Sequence, residues 1–210
     1  MRKEVRNWRV YLVTDEALCL GRPLEGVVRL ALEGGVDVVQ LREKNITTRE
    51  FVARARSIKA VLAGSGVPLI INDRIDVALA VGAEGVHVGQ SDMAAGDVRQ
   101  LIGPERILGL SLDLPEQLAA AEIEDVDYYG VSPVFVTPTK DVAHSAWGLE
   151  GLRNLRRQTQ RPLVAIGGVN QGNAAEVFAA GADSVAVVSA ICAAAAPAAA
   201  ASELRKCGLS

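Results

Sequence analysis

Aromatic residues make up only 4% of the 210-residue chain. Its interior therefore has to be built from Ala, Val, Leu and Ile, as in helices layered on a parallel sheet. The three cysteines, Cys19, Cys192 and Cys207, are odd in number and far apart. They make neither a CxxC pair nor the disulfide framework of a small secreted domain, so a reduced, cytoplasmic protein is expected. There is no metal-spaced His/Cys cluster and no Ser-His-Asp order, and hydrolysis through an activated nucleophile is not indicated. A net charge of −3 supplies no general cationic field for nucleic acid or an acidic membrane. No apolar run approaches a membrane span, and the apolar stretch in the basic start MRKEVRNWRVYLVTD is too short for a signal core. What remains is a small-molecule ligand gripped by a local site.

What is present is a repeat. RVYLVTD is followed by a helical pattern near residues 23 to 34, and the alternation returns with DVVQLRE, PLIIND, GVHVGQ, ILGLSL, YYGVSPVF, PLVAIGG and SVAVVSAI. Each of these eight β-branched runs precedes a stretch that can be helical. LEGGVD, AVGAEG and AAGADS place glycine where a helix closes before the next strand. Crossovers of this kind are nearly always right-handed, so eight in succession predict one (β/α)8 TIM barrel over residues 1 to 210. An open doubly wound sheet would usually carry a glycine-rich phosphate turn after its first strand, and VTDEALCLGRP has no G-x-G-x-x-G. The alanine-rich tail is expected to hold a last helix bent or started near Pro197.

In such a barrel the reactive face lies where the strands finish. There the sequence puts Gln40, Arg42, Glu43 and Lys44, then Asn72 and Asp73, Gln90 and Asp92, Ser111, and after strand 6 the segment VFVTPTKDVAHSAW with Thr137, Thr139 and Lys140. Alternation along strand 2 turns Gln40 and Arg42 to one face, the barrel interior, and Val39 and Leu41 to the helices. An inward arginine needs an anion. An internal salt bridge, with Glu43 for instance, would serve, but Arg42, Lys44 and Lys140 arriving together favour a bound phosphate or diphosphate. Asp73 and Asp92 end adjacent strands. Either could cap the helix that follows it; as a pair beside the cations they suit Mg2+, whose other positions go to water and phosphate. IGGVNQGNA and VVSAICA, with Gly167, Gly168 and Ser189, suggest a second anion site at strands 7 and 8; the two glycines would equally serve a tight turn. His87 reads as a hydrogen-bonded core residue and His144 as a solvated one.

Taken as a set, QLREK, NDR, GVHVGQSD, GLS, TPTK, IGGV and VVSAI, in that order and at those strand ends, resemble the thiamine phosphate synthase family from about Tyr11 to Ile191. The resemblance implies a transferase that joins 4-amino-5-hydroxymethyl-2-methylpyrimidine diphosphate to 4-methyl-5-(2-phosphooxyethyl)thiazole, forming thiamine phosphate and diphosphate with Mg2+ as cofactor. It implies that Gln40, Arg42, Lys44, Asn72, Ser111 and Lys140 contact the pyrimidine diphosphate, with Arg42, Lys44, Ser111 and Lys140 catalytic. Asp73 and Asp92 would hold the metal, and Thr137, Thr139, Gly168, Val188 and Ser189 the thiazole phosphate. The implied partners are these two phosphorylated small molecules; a homo-oligomer is compatible. A thiazole-phosphate tautomerase on the same barrel, using a proton-transfer residue such as His87, and a non-catalytic phosphate-ligand sensor are the alternatives.

Overall fold

The computed structural model describes residues 5–122, 124–136 and 146–208. Its centre is a closed parallel barrel in which strands β1 (Val10–Val13), β2 (Val38–Leu41), β3 (Leu69–Asn72), β4 (Gly85–Val88), β5 (Ile107–Leu112), β6 (Tyr128–Val131), β7 (Leu163–Ile166) and β8 (Ser184–Val187) pair in sequence order and β8 returns to β1. Around it run α1 (Leu24–Glu33), α2 (Thr48–Leu62), α3 (Ile75–Val81), α4 (Ala95–Ile102), α5 (Leu118–Ala121), α6 (Gly148–Gln158), α7 (Ala174–Ala179), α8 (Ser189–Cys192) and α9 (Pro197–Cys207). The expected (β/α)8 architecture is therefore the observed one. Gly35, Gly82 and Gly181, in the three glycine steps, have φ of 88°, 62° and 108°. The tail helix starts with Pro197 in its first turn, where a missing N–H costs nothing.

One strand is shorter than its apolar run. YYGVSPVF reads as a continuous strand, but β6 ends at Val131. Pro133 has no N–H to give to a ladder, and the chain beyond it bonds instead to the end of β7, through Val134 N–H to Ile166 O at 2.8 Å and Phe135 N–H to Gly167 O at 3.0 Å.

Side-chain alternation divides the apolar residues into two sets. Val39, Leu41, Leu69, Ile71, Val86 and Val131 point outward and pack with helix residues such as Val28, Phe51, Ile58 and Val98. Tyr11, Val38, Ile70, Ile107, Tyr128, Val164 and Ala186 point inward, with Val5 and Trp8 among them. The Trp8 ring meets Tyr11 and Tyr128 edge-on, at centroid distances of 5.9 and 5.7 Å. A few large rings thus fill an interior that Val and Ala alone would leave hollow.

The opposite end of the barrel carries a fourfold device. The residue immediately before each even strand is acidic, and its carboxylate accepts an N–H from the start of the preceding odd strand. Asp37 takes Val10 N–H at 3.0 Å, Glu84 takes Leu69 at 2.9 Å, Asp127 takes Leu108 at 2.8 Å and Asp183 takes Leu163 at 2.8 Å. A cation from a surrounding helix neutralises each acid: Arg205 on Asp37 at 2.5 Å, Lys59 on Glu84 at 3.8 Å, Arg99 on Asp127 at 2.8 Å and Arg156 on Asp183 at 3.0 Å. Strand starts that would otherwise bury an unpaired N–H are satisfied, and the helices are tied to the barrel floor.

The Arg99–Asp127 pair is the most enclosed of the four, with side-chain exposures of 11% and 9%. Asp127→Ala leaves both Arg99 and the Leu108 N–H short of an acceptor, and should cost about 3 kcal/mol of stability. Thermal unfolding followed by circular dichroism should show a fall of roughly 6–12 °C; an unchanged midpoint would refute a structural role for this contact.

Candidate active site

The strand ends open into a cavity of about 830 Å³, and Gln40, Arg42, Lys44, Asn72, Asp73, Asp92, Ser111, Gly168, Val188 and Ser189 all line it. Residues that the motifs nominate from strands 2, 3, 4, 5, 7 and 8 therefore share one volume. Thr137, Thr139, Lys140 and His144 lie outside the described residues.

On the β2 side, Gln40 points inward and is 5% exposed, as alternation requires. Beyond it the chain is held by Arg42 N–H to Thr14 Oγ1 at 3.2 Å and Thr14 N–H to Gln40 O at 2.9 Å. Arg42 lines the cavity and makes no ion pair with a described residue. Glu43, the internal partner considered for it, is instead 2.6 Å from Arg54.

Neither aspartate is a helix cap. Arg74 and Ala94 occupy the N-cap positions of α3 and α4, without a side-chain bond in either case. Asp73 has φ of 60°, a left-handed backbone that Asp tolerates better than bulkier residues. Its N–H is donated to His87 O at 2.8 Å, tying the end of β3 to β4, and its carboxylate is 2.5 Å from Lys44 Nζ. Asp92 Oδ2 accepts the Gly89 N–H at 2.7 Å, which folds the loop after β4 back on itself. Burial pushes the Asp92 carboxyl above its usual range; the Gly89 bond opposes this, and the hydrogen bond and charge of Asp73 add to the rise. Two carboxylates and one ammonium thus crowd one wall. The Lys44–Asp73 pair is 49% and 19% exposed, so water weakens it and Lys44 can exchange partners.

This donor set fits a hard divalent cation. Two oxygen ligands from adjacent strand ends leave the remaining positions to water and phosphate oxygens, and among the described residues no group of three or more His, Cys, Asp and Glu forms a closed metal cage.

Across the floor of the cavity runs a chain of polar side chains whose two tyrosines strand-end reasoning did not find. Gln40 Nε2 donates to Tyr11 Oη at 2.7 Å, Tyr11 Oη is 2.8 Å from Tyr128 Oη, Tyr128 Oη is 2.9 Å from His87 Nδ1, and His87 Nε2 is 2.9 Å from Ser111 Oγ. Gln90 Nε2 donates to the Ser111 carbonyl at 2.6 Å. Burial raises the phenols of Tyr11 and Tyr128 well above their ordinary value, so both keep their protons. His87 is the hydrogen-bonded interior residue expected of it. The available signal for the tyrosines was strand parity, which puts Tyr11 and Tyr128 on the inner face; in a strand, a tyrosine reads first as packing.

At the far wall, Gly167 and Gly168 have φ of 102° and 66°. A Cβ on Gly168 would come 2.8 Å from Phe135 Cβ, so the turn after β7 is pressed against the segment after β6. Helix α8 begins at Ser189, and Val188, Ser189 and Ala190 line the cavity. First-turn N–H groups have no acceptor within their own helix. The cavity can therefore receive negative charge at two places.

A family model described as thiamine monophosphate synthase matches residues 10–191. Over 198 residues the chain is 56% identical to the thiamine-phosphate synthase of Albidiferax ferrireducens, covering 94% of this chain and 90% of that one. It is 54% identical over 185 residues to the thiamine-phosphate synthase of Vibrio parahaemolyticus, covering 88% and 90%. Among solved structures, a thiamine phosphate pyrophosphorylase from Pyrococcus furiosus superposes with a TM-score of 0.88 at 38% identity, covering 98% of each chain.

The crowding of the two aspartates has a measurable consequence. Asp92→Asn keeps an oxygen for the Gly89 N–H and removes a charge that burial and then the facing Asp73 disfavour, so the protein without added metal or phosphate should melt at a higher temperature near neutral pH. The sign follows from linkage: a carboxyl raised by the fold binds more protons when folded, and its penalty appears as pH rises from 3.8 through the raised value. Below 3.8 the gain should vanish. An Asp92→Asn variant that melts no higher than wild type near neutral pH would show that neither burial nor Asp73 penalises the Asp92 charge.

Proposed function

The chain belongs to the thiamine monophosphate synthase family, and on that premise we propose how its cavity joins 4-amino-5-hydroxymethyl-2-methylpyrimidine diphosphate to 4-methyl-5-(2-phosphooxyethyl)thiazole to yield thiamine phosphate. The observation that carries the reading is the wall where Asp73 and Asp92 meet Lys44, with Arg42 lining the same cavity. This site offers charge to a polyanion.

In the reaction the bond from the pyrimidine methylene to the diphosphate oxygen breaks, with the electron pair leaving on diphosphate. The aminopyrimidine ring stabilises the cation left behind. The thiazole nitrogen then gives its lone pair to that carbon, and no proton has to be removed. The protein has to neutralise the departing charge, align two flat rings and exclude water. Arg42 and Lys44, with Lys140 assigned by the TPTK motif, take the diphosphate, and Lys44 moves from Asp73 to do so. Asp73 and Asp92 would hold Mg2+, which when bound supplies positive charge to the leaving diphosphate. Gln40, Asn72 and Ser111 contact the pyrimidine diphosphate. Gly168, Val188 and Ser189 hold the thiazole phosphate at the opposite wall, and the TPTK motif assigns Thr137 and Thr139 to the same phosphate.

Among the described residues no helix is long and apolar enough to cross a membrane. The three cysteines form no disulfide and two of them are buried, which supports a reducing, cytoplasmic setting. The tautomerase and sensor alternatives gain nothing specific: both ring nitrogens of His87 are already hydrogen-bonded to Ser111 and Tyr128.

Incubating the protein with both phosphorylated substrates and Mg2+ should release diphosphate in step with thiamine phosphate, and a chelator should stop both. Asp73→Ala should lower turnover by about 10²-fold or more while the folded circular dichroism spectrum is retained. Correctly folded protein without turnover would remove the synthase reading, and unchanged kinetics in Asp73→Ala would remove the metal site.

A further inference from the structure

The polar chain beneath the cavity has one fixed donor, Gln40, from which a direction for the other links is derived if each hydroxyl passes its proton to the next. Gln40 Nε2 is a donor to Tyr11 Oη at 2.7 Å, so the Tyr11 proton is left for Tyr128 Oη, 2.8 Å away. The Tyr128 proton then goes to His87 Nδ1 at 2.9 Å. A ring that accepts at Nδ1 carries its own proton at Nε2, where Ser111 Oγ lies at 2.9 Å. Having accepted from His87, Ser111 has its own proton to offer. Each interior member has a single proton on this path, so reversing any link reverses them all.

We propose that Tyr11, Tyr128 and His87 are positioning residues, forming a directional relay that keeps the Gln40 amide oxygen as an acceptor for the exocyclic amine of the bound pyrimidine and the Ser111 hydroxyl as a donor to its diphosphate. Reversed, the relay would turn the Gln40 amide NH2 toward an amine and a serine lone pair toward an anion, both repulsive. The assignment of the two ends rests on the pyrimidine diphosphate reading given above; the relay itself does not.

The barrel is cut to fit this chain. Glycine weakens a strand interior unless something approaches closely, yet Gly109 and Gly130 lie inside β5 and β6. A Cβ at Gly109 would collide with the Tyr128 ring and with His87 Nδ1, and one at Gly130 would come 2.8 Å from His87 Cε1. In the slot that the two glycines leave, the rings of His87 and Tyr128 stack with centroids 5.4 Å apart and planes 27° apart. Trp8 packs edge-on against both tyrosines, and Tyr11, Tyr128 and Gln40 are 1%, 0% and 5% exposed. Water is thus kept from the Gln40–Tyr11 and Tyr11–Tyr128 links, while His87 and Ser111 are half-buried at the cavity wall; in buried surroundings a hydroxyl without its partner is costly.

The direction can be read without substrate. The chain has two histidines, so 15N-histidine NMR on a His144→Gln background isolates the His87 ring. Wild-type His87 is expected as the Nε2–H tautomer. In Gln40→Glu, a carboxylate kept ionised beside Arg42 can only accept; Tyr11 must then donate to it, and His87 should switch to the Nδ1–H tautomer although three links separate the substitution from its ring. Adding Tyr128→Phe should abolish that switch. By itself Tyr128→Phe should lower kcat about tenfold with KM for the thiazole phosphate unchanged, and retain the near-ultraviolet dichroism of a folded protein. A wild-type Nδ1–H tautomer overturns the proposed direction, and that spectrum alone decides it if a variant fails to fold. A His87 tautomer indifferent to Gln40→Glu overturns the coupling. Failure of the synthase reading would appear separately, as absent diphosphate release by wild-type protein whose His87 spectrum is as expected.

Discussion

Closing eight short parallel strands into a ring sends every second side chain into one narrow interior, and this crowding governs what the rest of the molecule can do. The lower part of that space is filled by Trp8, Tyr11 and Tyr128, packed ring edge against ring. Filling it with tyrosines brings two hydroxyls into the interior, and each needs a partner. They find one in each other and in Gln40 and His87. The floor of the ligand cavity is therefore also the roof of the core, and its polar groups are oriented by packing as much as by hydrogen bonding.

The two ends of the barrel handle charge in opposite ways. At the strand starts, Asp37, Glu84, Asp127 and Asp183 each have a basic partner and a backbone N–H, so every charge is compensated within the protein. At the strand finishes compensation is partial: Lys44 leans on Asp73, the Asp92 charge is disfavoured by burial and then by Asp73, and Arg42 has no ion pair among the described residues. An end whose charges are settled holds the fold, and an end whose charges are unsettled favours a ligand that completes them. That contrast is what the proposed magnesium diphosphate would resolve.

Much of this was legible in order along the chain. The eight strand–helix units, the inward face of Gln40 and the gathering of polar residues at strand ends follow from period, glycine placement and alternation, which are local properties. The acids of LEGGVD, AVGAEG and AAGADS were equally visible as letters, but only their glycines carried a local meaning. Their carboxylates act on strand starts 15 to 27 residues away in sequence. The end of β6 was misjudged because apolar character continued past Pro133, whereas the ladder needs N–H groups.

By itself the sequence determined the architecture and the family, since hydrophobic periodicity and the order of short motifs survive without knowledge of who touches whom. Tertiary structure decided the partnerships: that Asp73 holds Lys44 rather than capping α3, that Glu43 belongs to Arg54, and that Tyr11 and Tyr128, 117 residues apart, share a hydrogen bond. Such pairings depend on the closure of the barrel, which brings distant strand positions to the same height, and no local pattern encodes that height.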